Sequence, residues 1–167
     1  PGTKNIAGSQ DALGIVLPGL NKLNYDASYW PASIESVQEE AILSFLEQHL
    51  YLIPLDPRHK EYDVLSNTHI TELGAKALAD AANACWDAIM AMDLQGFGKA
   101  FTASFDAQIK MFPNMVDAYL MKTIEELSIH ALGYKLSGAG GGGYLIMISE
   151  QAIANALQIK IRRKNSI

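Results

Sequence analysis

The stretch that decides the reading of this chain is Lys135-Leu-Ser-Gly-Ala-Gly-Gly-Gly-Gly-Tyr144, which runs straight into Leu145-Ile-Met-Ile-Ser149. Five of these residues are glycine: Gly138, Gly140, Gly141, Gly142 and Gly143. Without a Cβ, glycine reaches positive φ and lets a second backbone or an anion come close. Consecutive free N–H groups in such a turn form an anion-binding concavity. The apolar runs on either side read as strands, so the expected local order is strand, glycine loop, buried strand.

Outward from the loop, helices dominate the preceding half. Ile70, Leu73, Ala77, Leu78, Ala81, Cys85, Ile89 and Met92 recur on one helical face. Phe97, Phe101, Phe105, Ile109 and Phe112 line a second helix that Pro113 stops. A third helix is expected to open at Asn114, a good N-cap residue, with Gly133 at its C′ position. After the loop the pattern predicts a short helix over 150–157 and a last strand over 158–162.

Toward the N-terminus, a short helix is expected over 6–16 and paired strands over 20–25 and 30–37, joined through 26–28. Ser36-Val-Gln-Glu39 has the form of a capping box before Ile42, Phe45, Leu46 and Leu50. That predicts a helix over 37–49. A strand over 51–55 follows, which Pro54 confines to an edge or a strand end, and then a polar loop over 56–67. The reading is an α+β fold with two layers, one shared sheet and helices packed on one face.

The chain has 167 residues, 49% of them hydrophobic, which suffices for one substantial core. Net charge is −5, which argues against nucleic acid or an anionic membrane as the main partner. The longest fully apolar run, 144–148, is far short of the ~20 residues of a spanning helix. A single cysteine, Cys85, excludes an internal disulfide and fits a reducing, cytoplasmic setting. Pro1-Gly2, without an initiator methionine, reads as a loop cut open, so the chain is expected to be a fragment.

A second feature is Gly8-Ser-Gln-Asp11, leading into Pro18-Gly-Leu-Asn21. Asp11 falls in the first turn of the expected helix, where exposed N–H groups favour a carboxylate. Taken alone, Asp11 reads as an ordinary first-turn acid.

Together the two features resemble the C-terminal part of a GHMP-family kinase, and within it the heptose-phosphate kinases and the kinase portion of fucokinases. Gly8, Gln10, Asp11, Gly19 and Asn21 match the family's G-x-Q-D segment and the Gly-x-Asn stretch after it. Lys135, Ser137, Gly138, Ala139 and Gly140 to Gly143 match its late K-x-S-G-A-G-G-G-G motif. The resemblance implies a ferredoxin-like C-terminal domain over 19–167 and a remnant of the N-terminal kinase domain over 1–18. It implies ATP and Mg²⁺ as cofactors and a sugar or sugar phosphate as acceptor. Asp11 would lie by the acceptor hydroxyl as base or orienter, because a hydroxyl is a poor nucleophile until its proton is taken up. Gln10, Gly19 and Asn21 would border the substrate, and Ser137 to Gly143 the phosphates.

Ser9 stands where tryptophan or lysine is frequent in the sugar kinases, and Ala12 where glutamine is common. Both flank the implied sugar pocket, so the acceptor stays open. The family's glycine–serine phosphate loop, its adenine-holding strands and its Mg²⁺-binding acid are not in these 167 residues. The isolated chain is therefore expected to bind ATP poorly and to be inactive. The alternative is a non-catalytic ligand-binding or interaction domain of the same fold. Apolar surface left by a missing half would favour self-association.

The remaining candidates are bland. Lys4 could meet a phosphate but reads as a solvated loop lysine. His49, His59, His69 and His130 lack metal-ligand spacing, and no metal site is expected. Cys85 reads as core. Lys160, Arg162, Arg163 and Lys164 read as a solvated basic tail.

Overall fold

The computed structural model of the chain describes residues 8–58 and 62–164. The expectations for Lys4, for His59 and for the helix before residue 8 lie outside them. Among the described residues the order is α1 (Ser9–Val16), β1 (Leu20–Asn24), β2 (Ser33–Val37), α2 (Glu40–His49), β3 (Leu50–Pro54), α3 (Glu72–Met90), α4 (Leu94–Met111), a 3-10 turn (Pro113–Met115), α5 (Ala118–Leu127), β4 (Gly133–Leu136), β5 (Tyr144–Ile148) and β6 (Leu157–Gln158). The fold is α+β, as the sequence predicts. The chain divides into two compact units, 1–45 with 160–167 and 46–159.

In the first unit α1 leads through a tight turn into β1. Gly19 makes that turn possible: its φ is +75°, and a Cβ there would stand 2.4 Å from the carbonyl oxygen of Val37. Asn21 holds the turn, its Nδ2 donating to Pro18 O at 3.2 Å and Gly19 O at 3.4 Å. β1 and β2 pair antiparallel, Leu20 opposite Val37 and Asn24 opposite Ser33. Here the expectation of one shared sheet is corrected: these two strands form their own ladder. Ser36 is corrected too. It lies in β2 and donates to Asn21 Oδ1 at 2.6 Å rather than capping a helix. The carbonyl of Glu39 opens α2 instead, accepting from Ile42 and Leu43 N–H, both at 3.1 Å.

The basic tail is not simply solvated. Arg162 donates to Val16 O. Arg163 grips Glu40 with two bonds, Nη2 to Oε1 at 2.6 Å and Nε to Oε2 at 3.0 Å. The Arg163 bonds first, then that of Ser44, pull the Glu40 carboxyl from its ordinary 4.5 to about 2. A carboxylate depressed in the folded state adds stability above its unfolded pKa and loses it as pH falls toward the folded value. We expect Glu40 to titrate near 2 by carboxyl ¹³C NMR. In Arg163→Met its midpoint should rise toward the ordinary range; an unchanged midpoint would show that the pair is not what lowers it.

The second unit carries a four-stranded antiparallel sheet in the order β4-β5-β3-β6. Pro54 sits at the end of β3, opposite Tyr144, where a missing N–H costs no interior ladder bond. Leu136 opposite Leu145 and Tyr134 opposite Met147 set the register of β4 on β5. Leu136, Leu145 and Met147 share a core with Phe105, Leu120 and Ile124. Fully burying such a side chain contributes about 1.5–3 kcal/mol.

α4 runs along the outer strand β4. The two backbones meet at paired glycines: a Cβ on Gly133 would stand 2.1 Å from Gly98 O, and one on Gly98 would stand 2.5 Å from Leu132 O. Thr102 Oγ1 then accepts the Tyr134 N–H at 3.1 Å. Gly133 is thus the first residue of β4, not the C′ residue of α5. α5 itself opens at Asp117, whose carboxylate accepts Leu120 N–H at 2.7 Å. Asn114 has another task, donating to Ser66 Oγ at 2.6 Å. The Phe97 and Phe105 positions are core as expected, whereas Ile70, Leu73 and Met92 are exposed. Residues 150–157 form no helix. Ser149 Oγ bonds both N–H and C=O of Gln151, and Asn155 adopts φ +62°, so the chain turns back to pair Leu157 with Leu52.

Candidate functional site

All five glycines of the loop lie in the left-handed half of φ: +61° at Gly138, +73° at Gly140, +71° at Gly141, +129° at Gly142 and +90° at Gly143. An L side chain is strained at each. Three positions are also pressed against neighbours. A Cβ on Gly140 would stand 2.7 Å from Met115 O, on Gly142 2.3 Å from Asp56 O, and on Gly141 2.3 Å from the Tyr62 ring.

The loop is bound to its surroundings through its main chain. Gly141 N–H donates to Met115 O at 2.7 Å and Gly143 N–H to Asp56 O at 3.1 Å, while Leu55 N–H donates back to Gly143 O at 2.9 Å. Arg58 Nε donates to Gly140 O at 2.7 Å, and the Tyr62 hydroxyl to Ala139 O at 2.5 Å. Burial pushes the Tyr62 phenol above its ordinary range, against the pull of Arg58, so it stays a donor. Gly140 N–H turns inward to Ser137 O at 3.4 Å.

The sequence leaves two uses open for these glycines, free N–H donors or close backbone approach; at Gly140, Gly141 and Gly143 the N–H is bonded within the chain. Among the described residues, the N–H groups of Gly138, Ala139 and Gly142 have no acceptor. Two of these are consecutive, which is the unit of an anion-binding nest.

Beside the loop lies a hollow of about 550 Å³ bordered by Asp56, Tyr62, Asn114, Asp117, Tyr119 and Thr123. Most of these polar groups are engaged within the chain: the Asn114 amide donates to Ser66 and Asp63, the Asp117 carboxylate caps α5, and the Tyr62 and Thr123 hydroxyls donate to Ala139 O and Tyr119 O. Leu55, Pro57 and Leu120 complete the lining, and exposed Tyr119 offers an aromatic face. Behind the loop, Lys135 donates to Ser104 Oγ at 2.7 Å. Burial pulls the Lys135 ammonium below its ordinary range and, from the other side, pushes the Cys85 thiol up to about 11. Cys85 is thus a weak nucleophile, in keeping with a packing role.

The early segment belongs to the first unit. Ser9 is buried; its hydroxyl donates to Tyr29 O and lies 2.9 Å from the Tyr25 hydroxyl, which fixes the start of α1 on the hairpin. Asp11 stands exposed in the first turn of α1. Gln10, Gly19 and Asn21 border a small hollow of about 240 Å³. The structure brings these three together; Asp11 does not line that hollow. Arg58 and Tyr62 escaped the sequence reading because a polar loop carries no periodicity to mark them. Among the described residues no group of three or more His, Cys, Asp or Glu side chains is placed to hold a metal ion, and no helix is long and apolar enough to cross a membrane.

Residues 85–166 match the family described as GHMP kinases C terminal. The chain is 24% identical over 180 residues to L-fucokinase/L-fucose-1-P guanylyltransferase of Bacteroides fragilis, covering 95% of this chain and 18% of that protein. A crystal structure of mevalonate kinase superposes with a TM-score of 0.54 at 19% identity, over 73% of this chain and 38% of that one. That likeness concerns the fold. The chain thus spans a minor part of each of these two proteins.

Proposed function

We propose, from the premise that this chain carries the GHMP kinase C-terminal domain over residues 85–166, that it is the C-terminal part of an ATP-dependent kinase acting on a sugar or sugar phosphate. The observation that carries the reading is the loop at 138–143. Its glycines take backbone angles that strain other residues, and among the described residues the amides of Gly138 and Ala139 are left without an acceptor. Phosphoryl transfer needs little beyond positioning and charge stabilisation, and unspent N–H groups on a rigid turn supply both.

ATP supplies the phosphoryl group. Its phosphate end fits the donors at Gly138 and Ala139, while the Mg²⁺ that accompanies it is assigned no residue here. In this reading Asp11 takes up the proton of the acceptor hydroxyl as that oxygen bonds to the γ-phosphorus, the bond from that phosphorus to the bridging oxygen breaks and ADP leaves; Gln10, Gly19 and Asn21 shape the substrate side. Ser137 and Gly140 to Gly143 keep the loop in place beside the phosphates.

The test is an ADP-release assay with ATP–Mg²⁺ on the longest natural protein containing this chain, against free and phosphorylated hexoses and heptoses. Turnover with at least one of them is expected. Saturable sugar binding without turnover would overturn the kinase reading and leave a ligand-binding domain.

A further inference from the structure

We propose that Arg58 is the cation of an oxyanion site at the glycine loop, holding a phosphate oxygen with Nη1 and Nη2 while Nε stays on the loop; naming that anion a phosphoryl group rests on the kinase reading above. The Nε bond to Gly140 O, 2.7 Å long, fixes the guanidinium against the loop. Tyr62 supports it from one side, its ring centroid 5.8 Å from Arg58 Cζ. Nη2 then lies 3.5 Å from where a Cβ of Gly138 would stand, and apart from Gly138 and its two chain neighbours no other described residue comes within 4 Å of that point.

The rest of the guanidinium is unspent. Among the described residues Nη1 and Nη2 meet no carbonyl, hydroxyl or carboxylate. An exposed arginine normally swings freely and gains little from a surface partner. This one is pinned by a single N–H, and its remaining donors lie on the same stretch of loop as the unpaired N–H groups of Gly138 and Ala139. A planar positive fork beside two unpaired N–H groups matches a tetrahedral oxyanion. A Cβ on Gly138 would make only ordinary contact with Nη2 at 3.5 Å, but it would occupy the space beside the guanidinium that an anion needs.

The experiment titrates the 167-residue chain with inorganic pyrophosphate at constant ionic strength. It follows the backbone ¹⁵N–H signals of Gly138 and Ala139 and the Arg58 Nε–H signal. Saturable shifts at all three are expected. Arg58→Gln should weaken the apparent Kd at least tenfold, with Arg58→Lys in between because it keeps charge but loses the fork. No saturable shift in the unaltered chain, or equal affinity in Arg58→Gln, overturns the proposal. The Nε–H signal is read in the unaltered chain, so a variant that fails to fold does not remove the test. Pyrophosphate binding together with an inactive longer protein would sink the kinase reading and keep the anion site. An active kinase whose kcat and ATP KM ignore Arg58→Gln would sink the arginine's role alone.

Discussion

Gly133→Ala is expected to destabilise the second unit by about 3 kcal/mol, the upper end of what overpacking costs, and to lower Tm by on the order of 10 °C. The reason is distance rather than backbone freedom. Gly133 does not adopt a positive φ. Its Cβ would instead stand 2.1 Å from Gly98 O, and this neighbour is main chain that cannot rotate away. Relief requires α4 to lift from β4, which would stretch the Tyr134 N–H bond to Thr102 and loosen Phe105 from Tyr134, whose rings sit 6.0 Å apart. Gly98→Ala meets Leu132 O at 2.5 Å and should behave alike. Gly14→Ala is the control: nothing lies within 4 Å of its Cβ position, and a helical alanine should be neutral or stabilising by about 0.5–1 kcal/mol. Urea unfolding of the three variants decides. A Gly133→Ala protein as stable as the Gly14→Ala protein would mean that α4 and β4 do not approach as described.

In the full-length kinase proposed above, Asp11→Asn should lower kcat by roughly 10²–10⁴-fold, the usual contribution of a positioned proton acceptor. The acceptor KM should change little. Asparagine keeps the size and hydrogen-bonding reach of the side chain and removes only its basicity. Because Asp11 is exposed on α1, the substitution should leave folding intact, so lost turnover cannot be blamed on lost protein. A steady-state assay giving near-normal kcat would remove Asp11 from the chemistry and leave it as a first-turn acid.

What the sequence made legible was local. The phenylalanine spacing of α4 predicted its buried face, and Phe97 and Phe105 are there. The glycine run predicted left-handed backbone, and all five glycines adopt it. Errors arose where a local signal had a distant competitor. Ser36 and Glu39 spell a capping box, yet Ser36 is claimed by Asn21 across the hairpin. Asn114 is a good cap residue, yet its amide is taken by Ser66 and Asp117 caps α5 instead. The helix expected after Ser149 yields to the return of the chain toward β3. At the candidate site the loop was readable from composition, whereas Arg58 and Tyr62, about 80 residues upstream, were not. Nothing in a polar stretch reveals which distant carbonyl it will bond.

Among the described residues the sheet of the second unit offers little rim on which a foreign strand could start. On one border a threonine hydroxyl and a helix occupy the main chain of β4. On the other, β6 is two residues long, too short to template a neighbour. Borders kept this short and this occupied leave an outside chain little main chain to hydrogen-bond, which limits edge-to-edge aggregation.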